Sequence, residues 1–338
     1  MIDPNKIMSE LFDRGADAYQ RRQNERAPAM PDLSDRRIDH LISEEEKADP
    51  AKLYALSDEV PDIRMKKSLS LPGLNIYDGT FESPIETPFP ENNTVYVKHF
   101  KLTGKRGGGP TVVMIHGWRM DDYAYFDWWC WRFALWGLSS VLIDIPYHIR
   151  RTPEGSFSGQ LMLIPDTDWS LVSLKQCFAE VQLFANWLRA RGADPIGTFG
   201  VSFGAFMAGL YVCQAENADF AIMGMPPMDV LDTLGKCNLG EELKQLERQG
   251  VKTMLTDSCI PPLFNMSLMK PKVPNEKIFV AMGIYDRLVT PECVIETVEK
   301  WGGLPWLCKY RTGHINTFAL NPKFIRDVRR FVGKEVLG

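Results

Sequence analysis

Apolar residues in the second half of the chain cluster in short unbroken runs. Thr111–Ile115, Ser140–Asp144, Ile196–Val201, Phe220–Met225, Lys277–Met282 and Trp306–Arg311 each read as a strand. Stretches with mixed, helix-like spacing separate them: Tyr123–Trp136, Ser173–Arg191, Phe203–Cys213, a segment after Pro291, and Pro322–Val332. A strand that is apolar at every position is covered on both faces. The pattern therefore predicts a parallel sheet with helices on both sides, an α/β class. Ahead of these runs, Thr94–Leu102 alternates and predicts one more strand. Gly107-Gly108-Gly109-Pro110 follows it as a turn; without a following Lys-Ser/Thr it is no phosphate loop.

Two regions break the rhythm. Residues 1 to about 60 are charged and helix-like, with Leu11, Ala16 and Tyr19 at loosely helical spacing and Pro50 interrupting Ile38–Leu56. Such a polar extension buries little by itself. Packing on the body, homo-oligomer formation and disorder all stay open for it. Pro72, Pro84, Pro88 and Pro90 predict an irregular connector with one edge strand from Met65 onward. The expected division is thus an extension and connector over 1–90 and a main domain over 91–338. An insertion at 226–275 is expected to act as a cap over the site, carrying Met228, Leu231, Leu234, Met254, Phe264, Met266 and Met269.

Composition narrows the class. Of 338 residues, 45% are hydrophobic and 24% charged, with a formal net charge of -4. That balance is ordinary for a globular protein and offers no basic field for nucleic acid. No stretch is long and apolar enough to span a bilayer, and the polar start lacks a signal-peptide core, so a cytoplasmic location is expected. The seven cysteines are scattered, with no Cys-x-x-Cys pair, so neither a disulfide framework nor a metal site is indicated.

The chemistry is concentrated at Gly200-Val201-Ser202-Phe203-Gly204, at a strand-to-helix junction. A serine on so sharp a turn has its hydroxyl lifted above the sheet, and the residues two before and two after it must be small. Ser202 is the candidate nucleophile. Serine needs a base, and His314, in Thr312-Gly313-His314, is the one histidine in the last third of the chain. The acid is expected after a strand between the two. Asp286 fits in Gly283-Ile284-Tyr285-Asp286, with Asp229 as its rival. His116-Gly117-Trp118 follows the first core strand. The backbone N–H groups of Trp118 and Phe203 are candidates for an oxyanion hole. His116, His148 and Arg150 are candidate substrate contacts, Arg150 and Arg151 for a carboxylate on the substrate.

Over Thr94 to Val332 these motifs resemble the α/β-hydrolase family. The order Ser202, Asp286, His314 matches the family order, and His116-Gly117 its oxyanion motif. Asp144-Ile145-Pro146-Tyr147-His148 stands where many members carry Asp-x-x-Gly-His, with Tyr147 in place of the glycine. The run Pro146-Tyr147-His148-Ile149-Arg150-Arg151, together with the Ser202 elbow, resembles the abhydrolase domain-containing 18 branch, from which Ala205 departs. The resemblance implies hydrolysis of a small carboxylic ester or thioester through an acyl-enzyme, without metal or organic cofactor. A peptidase or amidase on the same three residues, and a lyase, acyltransferase or ligand-binding use of the fold, stay open as alternatives.

Overall fold

The computed structural model describes residues 3–26, 33, 38–236, 243–244, 247–248, 253, 260–319 and 321–338. Its centre is a nine-stranded sheet. The strands are β1 (Arg64–Leu71), β2 (Leu74–Glu82), β3 (Thr94–Leu102), β4 (Thr111–Ile115), β5 (Ser139–Ile143), β6 (Ile196–Val201), β7 (Phe220–Gly224), β8 (Ile278–Gly283) and β9 (Trp306–Tyr310). They lie in the order β1-β2-β3-β5-β4-β6-β7-β8-β9. β1, β2, β3 and β5 pair antiparallel, and from β5 through β9 every pairing is parallel.

The sheet's two faces carry separate cores, divided by the alternation of side chains along each strand. Val113, Ile115, Val141 and Ile143 face one core, shared with the helices α5 (Thr167–Ala190) and α6 (Phe203–Gln214). Val112, Met114 and Leu142 face the other, shared with α4 (Ala124–Trp136) and the helix Pro322–Phe331. Every residue of β4 through β8 is buried, which is why these strands read as continuous apolar runs.

The stretch after Met65, expected as a connector with one edge strand, is the hairpin β1–β2: β1 is that edge strand, and β2 joins it to β3. β1 has no buried face, since all of it is exposed except the half-buried Met65. Lys66 and Lys67 lie on this edge, a placement that discourages pairing with another chain. Helix α5 begins six residues before the expected Ser173. The Asp166 side chain caps it by accepting from Trp169 N at 3.0 Å. The N-terminal stretch forms α1 (Pro4–Arg26), then the short α2 (Glu44–Ala48) and α3 (Pro50–Leu53), with Pro50 in the first turn of α3.

In the insertion after β7, α7 (Val230–Leu234) and Pro261–Phe264 are helical, and Met228, Leu234, Leu263, Phe264 and Met266 are buried in the α5/α6 core. Met254 and most of the segment 237–259, on which a cap over the site depends, lie outside the described residues.

Strand order reverses between β4 and β6: the chain runs from β4 to β5 on one side and from β6 to β7 on the other. Loops leaving such a switch point diverge and open a crevice at the carboxyl ends of the strands. Register keeps those ends level, with Ile115 opposite Gly200, Gly200 opposite Met223, and Gly224 opposite Ala281.

Candidate active site

Ser202 occupies the turn between β6 and α6 with φ 55 and ψ -124, a left-handed backbone that a serine adopts only under constraint. The constraint is steric. A β-carbon at Gly200 would fall 2.0 Å from Gly204 O, and one at Gly204 would fall 2.0 Å from Ile115 O. Both glycines therefore let the chain double back against itself and against the end of β4. Ser202 N donates to Gly224 O at 2.8 Å, tying the turn to β7.

From this turn the Ser202 Oγ lies 3.0 Å from His314 Nε2, and His314 Nδ1 lies 2.7 Å from Asp286 Oδ2. Asp286 is held on its other oxygen, Oδ1, which accepts from Leu288 N at 2.9 Å and Val289 N at 2.8 Å. The side chains of His314 and Asp286 are 7% and 1% exposed, so this hydrogen bond is shielded from water. The two loops are also joined through their backbones: Ile284 N donates to Tyr310 O and Tyr285 N to Thr312 O. Gly283 lets them approach, since a β-carbon there would meet Thr312 O at 2.5 Å. Asp229, the rival acid, caps α7 instead, accepting from Asp232 N and from Asn265 Nδ2.

The loop after β4 passes the same turn. A β-carbon on Gly117 would lie 3.4 Å from Val201 O and 3.9 Å from Ser202 Cβ, so Trp118 follows directly on a residue that passes beside the turn. Phe203 is the first residue of α6, and a first-turn N–H has no acceptor within its own helix.

His116 and His148 are buried beside each other, with ring centroids 5.0 Å apart, and both have their ring nitrogens engaged by the backbone. His116 Nδ1 donates to Gly117 O and its Nε2 accepts from Ile145 N; His148 Nδ1 donates to Pro146 O and its Nε2 accepts from Arg119 N. Each ring is thus a neutral tautomer bridging the loops after β4 and β5. Burial pushes both imidazoles below the usual histidine range, His148 well below it. Their geometry gives them a scaffolding part rather than a substrate contact. Arg150 is also committed: its Nε donates to Asp144 Oδ2 at 3.1 Å and to the Tyr123 hydroxyl at 2.9 Å, and its guanidinium lies 4.4 Å from the Tyr96 ring centroid. Arg151 is wholly buried and forks onto Glu180 at 2.6 and 2.7 Å.

Tyr147, which replaces a glycine of the resembled motif, keeps a glycine-like φ of 62. That conformation costs a non-glycine residue about 1–2 kcal/mol. Burial of its ring between Phe89 (6.2 Å) and Trp169 (6.0 Å) opposes the cost. Asp13 and Ser9 of α1, which contact the His314 loop, carried no signal in the sequence: nothing local links residues three hundred positions apart.

The arrangement is a hydroxyl, an imidazole and a carboxylate in hydrogen-bonded series, next to a helix N-terminus. Such a series activates an oxygen nucleophile and stabilises a developing oxyanion.

A family model described as alpha/beta hydrolase domain containing 18 matches residues 34–225, which take in β1 to β7 and Ser202 but stop short of Asp286 and His314. Two proteins of Mycobacterium tuberculosis, from strains CDC 1551 / Oshkosh and H37Rv and both described as uncharacterized, are 31% identical over 229 residues. The match covers 66% of this chain and 52% of each of theirs, so the chain spans about half the length of the curated relatives it matches. Among solved structures, acetyl xylan esterase 1 from Thermoanaerobacterium sp. JW/SL YS485 superposes with a TM-score of 0.63 at 14% identity, over 87% of this chain and 93% of that one. An acetyl xylan esterase from Paenibacillus sp. R4 gives 0.63 at 15% identity, over 90% and 97%. An acylaminoacyl peptidase of Pyrococcus horikoshii gives 0.50 at 14% identity, over 82% of this chain and 42% of that one. At these identities the likeness is one of fold.

Proposed function

The chain belongs to the family described as alpha/beta hydrolase domain containing 18, and on that premise we propose that it is a serine hydrolase cleaving a carboxylic ester or thioester through an acyl-enzyme. The observation that carries this reading is the series Ser202 Oγ, His314, Asp286 at 3.0 and 2.7 Å, with the serine strained into a turn that exposes its hydroxyl. The esterase and peptidase names of the fold neighbours support acyl-bond hydrolysis.

His314 Nε2 takes the hydroxyl proton as Ser202 Oγ bonds to the acyl carbon. The carbonyl electron pair moves onto oxygen, where the N–H groups of Trp118 and Phe203 stabilise it. Collapse breaks the bond to the leaving alcohol or thiol, which receives the proton from His314. Water then gives a proton to His314 and attacks the acyl carbon, releasing the acid and restoring Ser202. Asp286 accepts from Nδ1 and so holds the imidazole in the tautomer whose Nε2 accepts.

A fluorophosphonate probe tests the reading. Labelling is expected at Ser202, absent in Ser202→Ala and at least about a hundredfold slower in His314→Ala. With a histidine base the rate is expected to rise as pH rises through about 6 to 7, because the neutral imidazole is the active form. Folded wild-type protein that takes no label overturns the reading. Nitrophenyl esters of rising acyl length, beside the matching anilides, then separate esterase from amidase chemistry.

A further inference from the structure

Helix α1 comes from the far end of the chain and reaches both loops that carry the proposed acid and base. Asp3, just ahead of α1, accepts from the Tyr285 hydroxyl and the Arg311 guanidinium, one beside Asp286 and the other three residues before His314. Ser9 is fully buried, and its Oγ accepts from Asn316 Nδ2 at 3.2 Å, while Asn316 Oδ1 accepts from Gly313 N at 2.7 Å. Asp13 lies closest to the chemistry. Its Oδ2 accepts from His314 N at 3.4 Å and its Oδ1 from Ile315 N at 3.2 Å. Those two N–H groups open the short helix His314–Ala319, within which they have no acceptor. A β-carbon on Gly313 would fall 2.5 Å from Asp13 Oδ2 and 3.0 Å from Ser9 Cβ, so a side chain there would push on the Asp13 carboxylate and on Ser9.

We infer that Asp13 is a positioning residue for the proposed base, and that α1 clamps the acid and base loops in register. The inference rests on reading Ser202, Asp286 and His314 as the reacting series. Asp286 fixes the imidazole ring at one nitrogen. It does not fix the backbone from which the ring hangs. Asp13 does so, through the N–H of His314 itself, and the ring then meets Ser202 Oγ at 3.0 Å. Asp13 also adds a second carboxylate near the imidazole. The charged groups facing His314 are then Asp286 from the loop after β8 and Asp13 from α1, while Asp3 is paired with Arg311. Two carboxylates favour the imidazolium more than one does.

The test uses the full chain as wild type, Asp13→Ala and Asp13→Asn. Fluorophosphonate labelling is followed against pH, with kcat and KM on a nitrophenyl ester, thermal midpoints, and the low-field proton resonance of the His314 Nδ1–H bound to Asp286. Asp13→Ala is expected to lower labelling rate and kcat about ten- to a hundredfold, with KM within about twofold. Asp13→Asn recovers part of the rate, since its amide oxygen still accepts one N–H. It moves the acidic limb of the rate to lower pH by a few tenths of a unit, because a charge favouring the imidazolium is gone. Wild-type rates and limbs in both variants, or rate losses that only track the folded fraction, overturn the inference and leave the hydrolase reading intact. If wild type takes no label, the hydrolase reading falls and the resonance decides the clamp: its loss in Asp13→Ala upholds it, and an unchanged signal overturns it.

Discussion

Gly204 and Gly73 separate two meanings of the same residue. At Gly204 a β-carbon would sit 2.0 Å from Ile115 O and 2.6 Å from His116 O, both backbone atoms at the end of β4 that cannot swing aside. Gly204→Ala is expected to cost about 3 kcal/mol or more in urea denaturation and to slow labelling of Ser202, because relief requires moving the elbow. At Gly73, φ is +84 with nothing within 4 Å of a β-carbon. Gly73→Ala is expected to cost only about 1 kcal/mol of backbone strain and to leave labelling unchanged. Equal losses at both sites would sink the crowding argument. The Gly204 requirement was legible in the sequence, because an elbow needs small residues on both flanks of its serine. The commitments of His116, His148 and Arg150 were not. A ring nitrogen's partner is set by which loop lies across from it, and those loops are joined only in the folded chain.

At the scale of elements, α5 shows what a buried charge does to a helix. Glu180 lies fully inside, its carboxylate forked onto Arg151 at 2.6 and 2.7 Å and accepting from Ser83 Oγ at 2.7 Å. This joins α5 to the loop after β5 and to the chain after β2. Glu180→Ala leaves the Arg151 guanidinium buried and uncompensated, with an expected loss of about 3–5 kcal/mol in a urea titration. Replacing both partners with apolar residues of similar volume is expected to lose far less, and a double variant as unstable as the single one would show otherwise. Elements followed their patterns wherever burial imposed a period. The strands buried on both faces were legible, and the edge strand β1 falls where one was expected. β2 was not, because its buried positions Leu74, Ile76, Gly79 and Phe81 change phase at Asp78. The helix His314–Ala319 was not, because six residues carry less than two turns of any pattern.

At the scale of the whole molecule, burial ties stability to pH. His99 is buried with its Nε2 lacking a hydrogen-bond partner, and burial pushes its imidazole down to about 3. His116 and His148 are pushed below the usual range by the same cause. Each takes up a proton more readily unfolded than folded. The stability they contribute is fully present above the unfolded value, about 6.5, and is lost as pH falls towards the depressed folded values. Each contributes up to about 1.4 kcal/mol per pH unit in that window. The free energy of urea unfolding is therefore expected to change little between pH 8 and 7 and to fall by up to about 3 kcal/mol between 6.5 and 5.5, because the unfolded rings are only half protonated at the upper limit. A flat profile across that interval would mean that these rings accept protons in place.

From the sequence alone, the α/β class, the elbow at Ser202 and the chain order of Ser202, Asp286 and His314 could be read. Each rests on a short-range rule: continuous burial along a strand, crowding within five residues, or a residue type at the end of a predicted strand. The tertiary structure decided what those rules do not reach. It set the strand order that reverses between β4 and β6, the hairpin that extends the sheet, the polar contacts that occupy His116, His148, Arg150 and Arg151, and the seating of α1 on the His314 loop. The physical reason is common to all four. Which distant groups meet depends on how the layers close around the sheet, and a hydrogen bond between Asp13 and His314 leaves no period, spacing or composition along the chain that joins them.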